Sequence, residues 1–151
     1  MIIDTHAHYD DKQFDTDRDA LLAAMNPNGI EAIVNASDAV ASWDPVLRLT
    51  RQYPFMYGMI GVHPDEVGGL NDETFSRMEQ LLHEDKIVAV GEIGLDYYWD
   101  NESHDIQKHW FIKQLGLAEQ LGLPVNIHSR EAAADTMEIL KAYGKNLKAI
   151  I

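Results

Sequence analysis

The chain has 151 residues, 46% hydrophobic and 25% charged, enough to bury one domain's core and too apolar for a disordered segment. It contains no cysteine, which excludes disulfides, thiolate metal sites and cysteine nucleophiles, so any metal must be held by His, Asp and Glu. A formal net charge of −13 weighs against a nucleic-acid partner, unless bound divalent cations supply the local positive charge that phosphates require.

Met1-Ile2-Ile3 opens the first candidate strand, "MIIDTH", and reaches Asp4 too early for the cationic start and apolar centre of a signal peptide. No run of about 18 apolar residues occurs, so the expectation is a soluble, cytoplasmic protein with no membrane partner. Thr16 is placed to cap a helix through about Met25, ended by Pro27 and Gly29. The second strand, "EAIVNAS", leads to a helix from about Ala39 to Tyr53, stopped by Pro54. The third, "FMYGMIGVH", is followed by a helix opened at Asn71 or Asp72. After the fourth, "IVAVGEIG", Ser103 caps the longest helix, where Ile106, Trp110, Leu117 and Leu121 recur near helical spacing before Gly122 and Pro124 end it. After the fifth, "LPVNIHS", Ser129 is placed to cap the last helix, closed at Gly144, and "LKAII" is a sixth candidate strand.

Strands that start about every 25 to 35 residues have the spacing of βα units, and no linker or repeat interrupts them. Several are apolar nearly throughout, as in a parallel sheet covered on both faces. Two architectures fit: an open doubly wound sheet, which suits the length, and the first part of a (β/α)8 barrel, which normally takes about 250 residues. The placement of the polar residues favours the barrel.

In both folds functional groups gather where strands end, and every early strand except the second ends in a metal-ligand type. The first delivers His6 and His8, the third His63, the fourth Glu92 and the fifth His128. Side chains two apart on a strand share a face, so His6 and His8 can close on one ion; histidines so placed are also often satisfied by hydrogen bonds. Glu92 follows the apolar "IVAV" and sits between two glycines, where a buried carboxylate is costly unless paired or metal-bound. Asp96 reads as a loop cap or substrate-side residue. Tyr97, Tyr98 and Trp99 offer stacking surface to a base, but such a cluster more commonly packs over the rim. Arg130 is placed to hold a phosphate oxygen or to pair with Glu131 or Asp135. His63 is placed to position substrate or water. His83, His104 and His109 fall on predicted helices at exposed positions and carry no assignment.

Together these stretches resemble the TatD family of metal-dependent deoxyribonucleases, within the wider amidohydrolase-like (β/α)8 TIM barrels. The resemblance runs through "DTHAH", "GVHP" at residues 61–64, "GEIGLDYY" at 91–98, "QKHWFIKQLGLAEQLGLPV" and "IHSREAAAD", in that order. It implies that His6 and His8 bind one divalent ion, that Glu92 bridges two and is catalytic through them, and that His128 binds the second. Such ions activate water and neutralise a phosphodiester, so no side-chain nucleophile is needed. Imidazole with carboxylate suits Zn, Mn, Ni or Fe, and Mg more weakly, leaving the identity open.

Family members continue for roughly a hundred residues beyond this length, to complete eight strands. The resemblance implies that a histidine after the sixth strand and an aspartate after a later one complete the ligand set. Residues 1–151 are therefore expected to be the N-terminal portion of a single barrel, about six strands and five helices, with edges open to self-association and activity in doubt for the isolated chain. The leading expectation is a deoxyribonuclease with DNA as substrate. Two others stand beside it: hydrolysis of a small ester, lactone or amide on a related metal centre, and a non-catalytic fragment that requires a missing half.

Overall fold

A computed structural model describes residues 1–99 and 101–151. Five parallel strands form one sheet: β1 (Ile2–Ala7), β2 (Ile30–Ala36), β3 (Met56–Ile60), β4 (Ile87–Asp96) and β5 (Val125–Arg130). Their helices are α1 (Arg18–Ala23), α2 (Trp43–Gln52), α3 (Asp72–Leu81), α4 (His104–Leu121) and α5 (Ala133–Tyr143). The spatial order is β1-β2-β3-β4-β5, with each strand hydrogen-bonded to the next in sequence. A doubly wound sheet reverses its order at a switch point; an unreversed parallel order is that of a barrel wall. The sheet is a curled half-barrel.

The core lies between the outer face of this sheet and the helices. Trp43, Val46 and Leu47 of α2 and Phe111, Leu115 and Ala118 of α4 pack with Ile60, Val90, Ile93 and Val125 from the strands. Ser103 accepts from the Ile106 amide at the start of α4, and Gly122 (φ 64°) ends it in the left-handed region that glycine tolerates. Asn71 caps α3 with a reciprocal box through Thr74.

Several expectations need correction. The helix placed after Thr16 begins at Arg18, because residues 15–17 are turns pinned by the Arg18 side chain to the carbonyls of Tyr9, Asp10 and Asp11. Ser129 caps nothing: it stays in the ladder opposite Leu95, its hydroxyl meets Thr136 Oγ1 at 2.9 Å, and α5 starts only at Ala133. "LKAII" forms no sixth strand but a single bridge, Ile150 to Val125, with three backbone hydrogen bonds along β5. In α4 Ile106 is exposed, and the inward face carries Gln107 and Gln114 instead. His83 lies in the turn after α3, exposed, as are His104 and His109 on α4.

Candidate metal centre

The C-terminal ends of the strands converge on Glu92. It points from a β4 whose other residues are buried or half-buried, and its side chain is 13% exposed. Two contacts fix the backbone there. The Glu92 amide donates to the carbonyl of buried Ser37, which follows β2, at 2.9 Å, and a Cβ on Gly94 (φ 145°) would run into the His128 carbonyl of β5. The glycine lets the two strands close up beside the carboxylate.

The two oxygens of Glu92 face different partners. Oε2 lies 3.3 Å from His6 Nε2 and 3.5 Å from His8 Nε2, and Oε1 lies 3.1 Å from His128 Nδ1. His6 Nε2 and His8 Nε2 themselves approach to 2.9 Å. A bulge in the β1–β2 register between Asp4 and Ala7 accompanies this convergence, and His8 lies just past β1. The opposite ring nitrogens are tied down: His6 Nδ1 donates to Asn126 Oδ1 and His8 Nδ1 to the Ala36 carbonyl, both at 3.0 Å. With Nδ1–H committed to oxygen acceptors, neutral His6 and His8 present their Nε2 lone pairs to one point.

His128 and His63 have different surroundings. His128 Nε2 donates to Asp96 Oδ2 at 2.8 Å, which leaves Nδ1 facing Glu92. Asp96 is 1% exposed, and its other oxygen accepts from the Tyr98 and Trp99 amides, so it caps the turn and orients His128. The His63 ring packs edge-on against His128 with centroids 4.2 Å apart, while its Nδ1 accepts from the Asp65 amide. Neutral His63 then carries its proton on Nε2 and is a donor there rather than a lone-pair ligand.

Charge follows this geometry. Burial pushes the Glu92 carboxyl up, but hydrogen bonds from His128, His6 and His8 outweigh it and hold the group well below the usual carboxylate range. In return the Glu92 carboxylate raises His6, His8 and His128. Burial, and then the neighbouring His128, lower His63. Burial also raises Asp65, whose Oδ1 has no hydrogen-bond partner among the described residues.

Three sets of side chains bring ligand-type atoms within 4.8 Å of one another: His6, His8 and Glu92; His63, Glu92 and His128; and His63, Asp65 and Asp96; in the last two His63 would ligate only by giving up the contact of its Nδ1 with the Asp65 amide. The imidazole and carboxylate donors suit a divalent ion of the first transition row. Beside them opens a cavity of about 460 Å³ lined by Asp10, Asp38, Asp65, Glu92 and Asn101, among others.

Several of these groups carry no assignment from the sequence alone. Asp38, two residues past β2, means the second strand also sends an acid to the mouth. Asn126 was a polar residue inside an apolar strand, which is a detectable signal. Gln107 and Gln114, seven apart on one helix, clamp the chain around the site. Gln107 accepts from the Asp96 amide and donates to its carbonyl, and Gln114 does the same at Val62, next to His63. Arg130, expected to meet phosphate or to pair with Glu131 or Asp135, has its guanidinium 3.7 Å over the Tyr98 ring, while Asp135 pairs with Lys108 and Tyr97.

Comparison with known proteins identifies the family. A family model described as TatD-related DNase matches residues 3–151. The uncharacterized metal-dependent hydrolase YabD of Bacillus subtilis is 36% identical over 95% of this chain and 56% of its own length. The 3'-5' ssDNA/RNA exonuclease TatD of Cronobacter turicensis is 34% identical over 85% of this chain and 49% of its own. The crystal structure of YjjV, a TatD homolog from Escherichia coli, superposes with a TM-score of 0.87 at 33% identity, covering 94% of this chain and 56% of that one. The chain thus spans about half the length of the relatives it matches.

Proposed function

The chain belongs to the family of TatD-related DNases, and from that premise we propose that it supplies the metal-binding part of a metal-dependent phosphodiesterase acting on DNA. The observation that carries this reading is the divided carboxylate of Glu92, with one oxygen toward the Nε2 pair of His6 and His8 and the other toward His128 Nδ1. A carboxylate so divided fits two cations on its two sides, one with His6 and His8 and one with His128.

When bound, such ions neutralise the phosphodiester charge and activate water. The protein's own groups do the rest. Asn126 and the Ala36 carbonyl hold the His6 and His8 rings in the tautomer that ligates through Nε2. Asp96 holds His128 so that Nδ1 is the free atom. The Nε2–H of His63 is suited to donate to a substrate oxygen or a water, and Arg130 to a phosphate further out. Zn, Mn, Ni, Fe and Mg all remain compatible with the donors.

Activity is a property we assign to a whole protein of the relatives' length, in which residues 1–151 are the N-terminal portion of one barrel; intact-mass analysis of the source protein checks this. Among the described residues no helix is long and apolar enough to cross a membrane. The test of function is metal content together with release of nucleotides from single-stranded DNA, set against lactone and ester panels under Mn or Zn. His6→Ala and Glu92→Ala are expected to lower metal content and rate together. Unchanged stoichiometry in both variants sinks the metal assignment, and turnover confined to lactones or esters sinks the DNA assignment.

A further inference from the structure

We propose that Tyr98, Trp99 and Arg130 form a subsite for one unpaired nucleobase and its phosphate, on the rim of the metal centre. The inference rests on the phosphodiesterase reading for its orientation, but on separate residues for its chemistry. Three adjacent aromatics leave β4, and they divide. Tyr97 stacks on His104 with centroids 3.6 Å apart and gives its hydroxyl to Asp135. Tyr98 and Trp99 remain 48% and 49% exposed, ring edge to ring face at 4.6 Å.

This exposed pair is held in place. Both backbone amides donate to Asp96 Oδ1, at 2.9 and 3.4 Å, and the other oxygen of that buried carboxylate holds His128. One carboxylate therefore anchors the aromatic turn and orients a candidate ligand. Asn101, two residues after Trp99 in the sequence, lines the same cavity as Glu92. The turn lies at the cavity's edge.

Arg130 supplies the second chemistry. It pairs with Asp96 across the β4–β5 ladder, and its guanidinium lies 3.7 Å over the Tyr98 ring and 5.5 Å from that of Trp99. A guanidinium held by its face keeps edge N–H groups directed outward, in the geometry that meets phosphate oxygens. The cavity lining holds Asp10, Asp38, Asp65 and Glu92 but no Lys or Arg among the described residues; Arg18 is committed to the Asp10 and Asp11 carbonyls on one side, and Arg130 is near enough to Asp65 to act on its charge. An aromatic face next to a cation is the arrangement that takes a base by stacking and its backbone by charge, without regard to sequence. A base inside a duplex has its faces covered, so this site selects unpaired strands.

The chain carries its own reporter. Of its three tryptophans Trp43 is fully buried and Trp110 is 9% exposed, so changes in emission on binding at the rim come from Trp99. The probes are a short phosphorothioate oligothymidine, an abasic strand of equal length and charge, and the same sequence as a duplex, each titrated with EDTA and with Mn2+. The oligothymidine is expected to quench Trp99 and to bind about tenfold tighter than the abasic strand or the duplex. Trp99→Ala, followed by binding-induced fluorescence polarisation of a labelled strand, is expected to abolish that preference, and Trp99→Phe to retain most of it. Arg130→Gln is expected to weaken base-bearing and abasic strands alike.

Equal binding of base-bearing and abasic strands by the unaltered chain, or an unchanged preference in a Trp99→Ala variant that melts normally, overturns the subsite. So does a Trp99 emission already shielded from acrylamide in the free protein. Base-dependent quenching by the chain, with no metal uptake by it and no hydrolysis by a protein of the relatives' full length, would overturn the phosphodiesterase reading and leave the subsite standing. Metal uptake and hydrolysis with no effect of Trp99→Ala would do the reverse.

Discussion

Strands β1 and β4 both bring ligand-type residues to the same mouth, and they are built in opposite ways. β1 lies at the edge of the sheet with Ile2 and Ile3 each 56% exposed, and its histidines are set by hydrogen bonds to Asn126 and the Ala36 carbonyl. β4 pairs on both sides, buries Val90, Ile93 and Leu95 completely, and sets Glu92 by packing and close backbone approach. The contrast teaches that one site can draw its geometry from two sources. Polar contacts give the histidines their tautomer and direction, and the core gives the carboxylate its position and depth.

Substitutions can break or sharpen that contrast. Glu92→Ala has the largest expected effect: it removes the group both candidate ion positions share, so metal affinity should fall by more than about a hundredfold, read by calorimetric titration with Mn or Zn. Ile93→Ala, one residue on, should cost the fold about 2–5 kcal/mol in chemical denaturation by opening a fully buried cavity. A third variant, Asn126→Ala, leaves the metal ligands intact but frees the His6 ring, and a roughly tenfold loss of metal affinity is expected, together with a change in the His6 ring 15N shifts.

The dependence on pH reports the network as a whole. In the metal-free chain the imidazoles are raised by Glu92 and Glu92 is lowered by them. The imidazole contribution to stability is therefore complete below the ordinary 6.5 and is lost as pH rises through the raised values. The Glu92 contribution is present above its ordinary 4.5 and is lost as pH falls toward its depressed value. A bound cation requires deprotonated imidazoles, so its stabilisation runs the other way. The gain in melting temperature on adding metal should grow from about pH 5.5 to about pH 8; a gain that shrinks over that range would show that the histidines are not ligands. The smallest effect belongs to Ile3→Ala at the exposed edge, expected within about 0.5 kcal/mol of the unaltered chain by the same denaturation measurement.

Legibility in the sequence followed range. Asn71 and Ser103 at helix starts, Gly122 and Gly144 at helix ends and the apolar strands were readable, because capping and burial pattern act within a few residues. Thr16 and Ser129 misled for the same reason: each has the right chemistry for a cap, and a long-range contact claimed its segment first. The turn before α1 is fixed by Arg18, and Ser129 is held in a β4–β5 ladder that runs two residues further than "IVAVGEIG" suggests. Ile106 satisfied the helical period, but the clamp that Gln107 makes on Asp96 turned α4 by its polar groups as well as its apolar ones.

Residue order and type by themselves determined that the chain is a run of βα units, that its family is TatD-related, and that His6, His8, His63, Glu92 and His128 lie on strands or shortly after them, though β4 runs four residues past Glu92 rather than ending there. Only the tertiary structure decided that the sheet runs unreversed, that the two oxygens of Glu92 part between the His6/His8 pair and His128, and which ring nitrogen of each histidine is free. The physical reason is that strand identity is a local matter of burial and propensity, whereas a tautomer is fixed by an acceptor on another strand. Asn126 is 120 residues from His6, and nothing short of folding brings them to 3.0 Å.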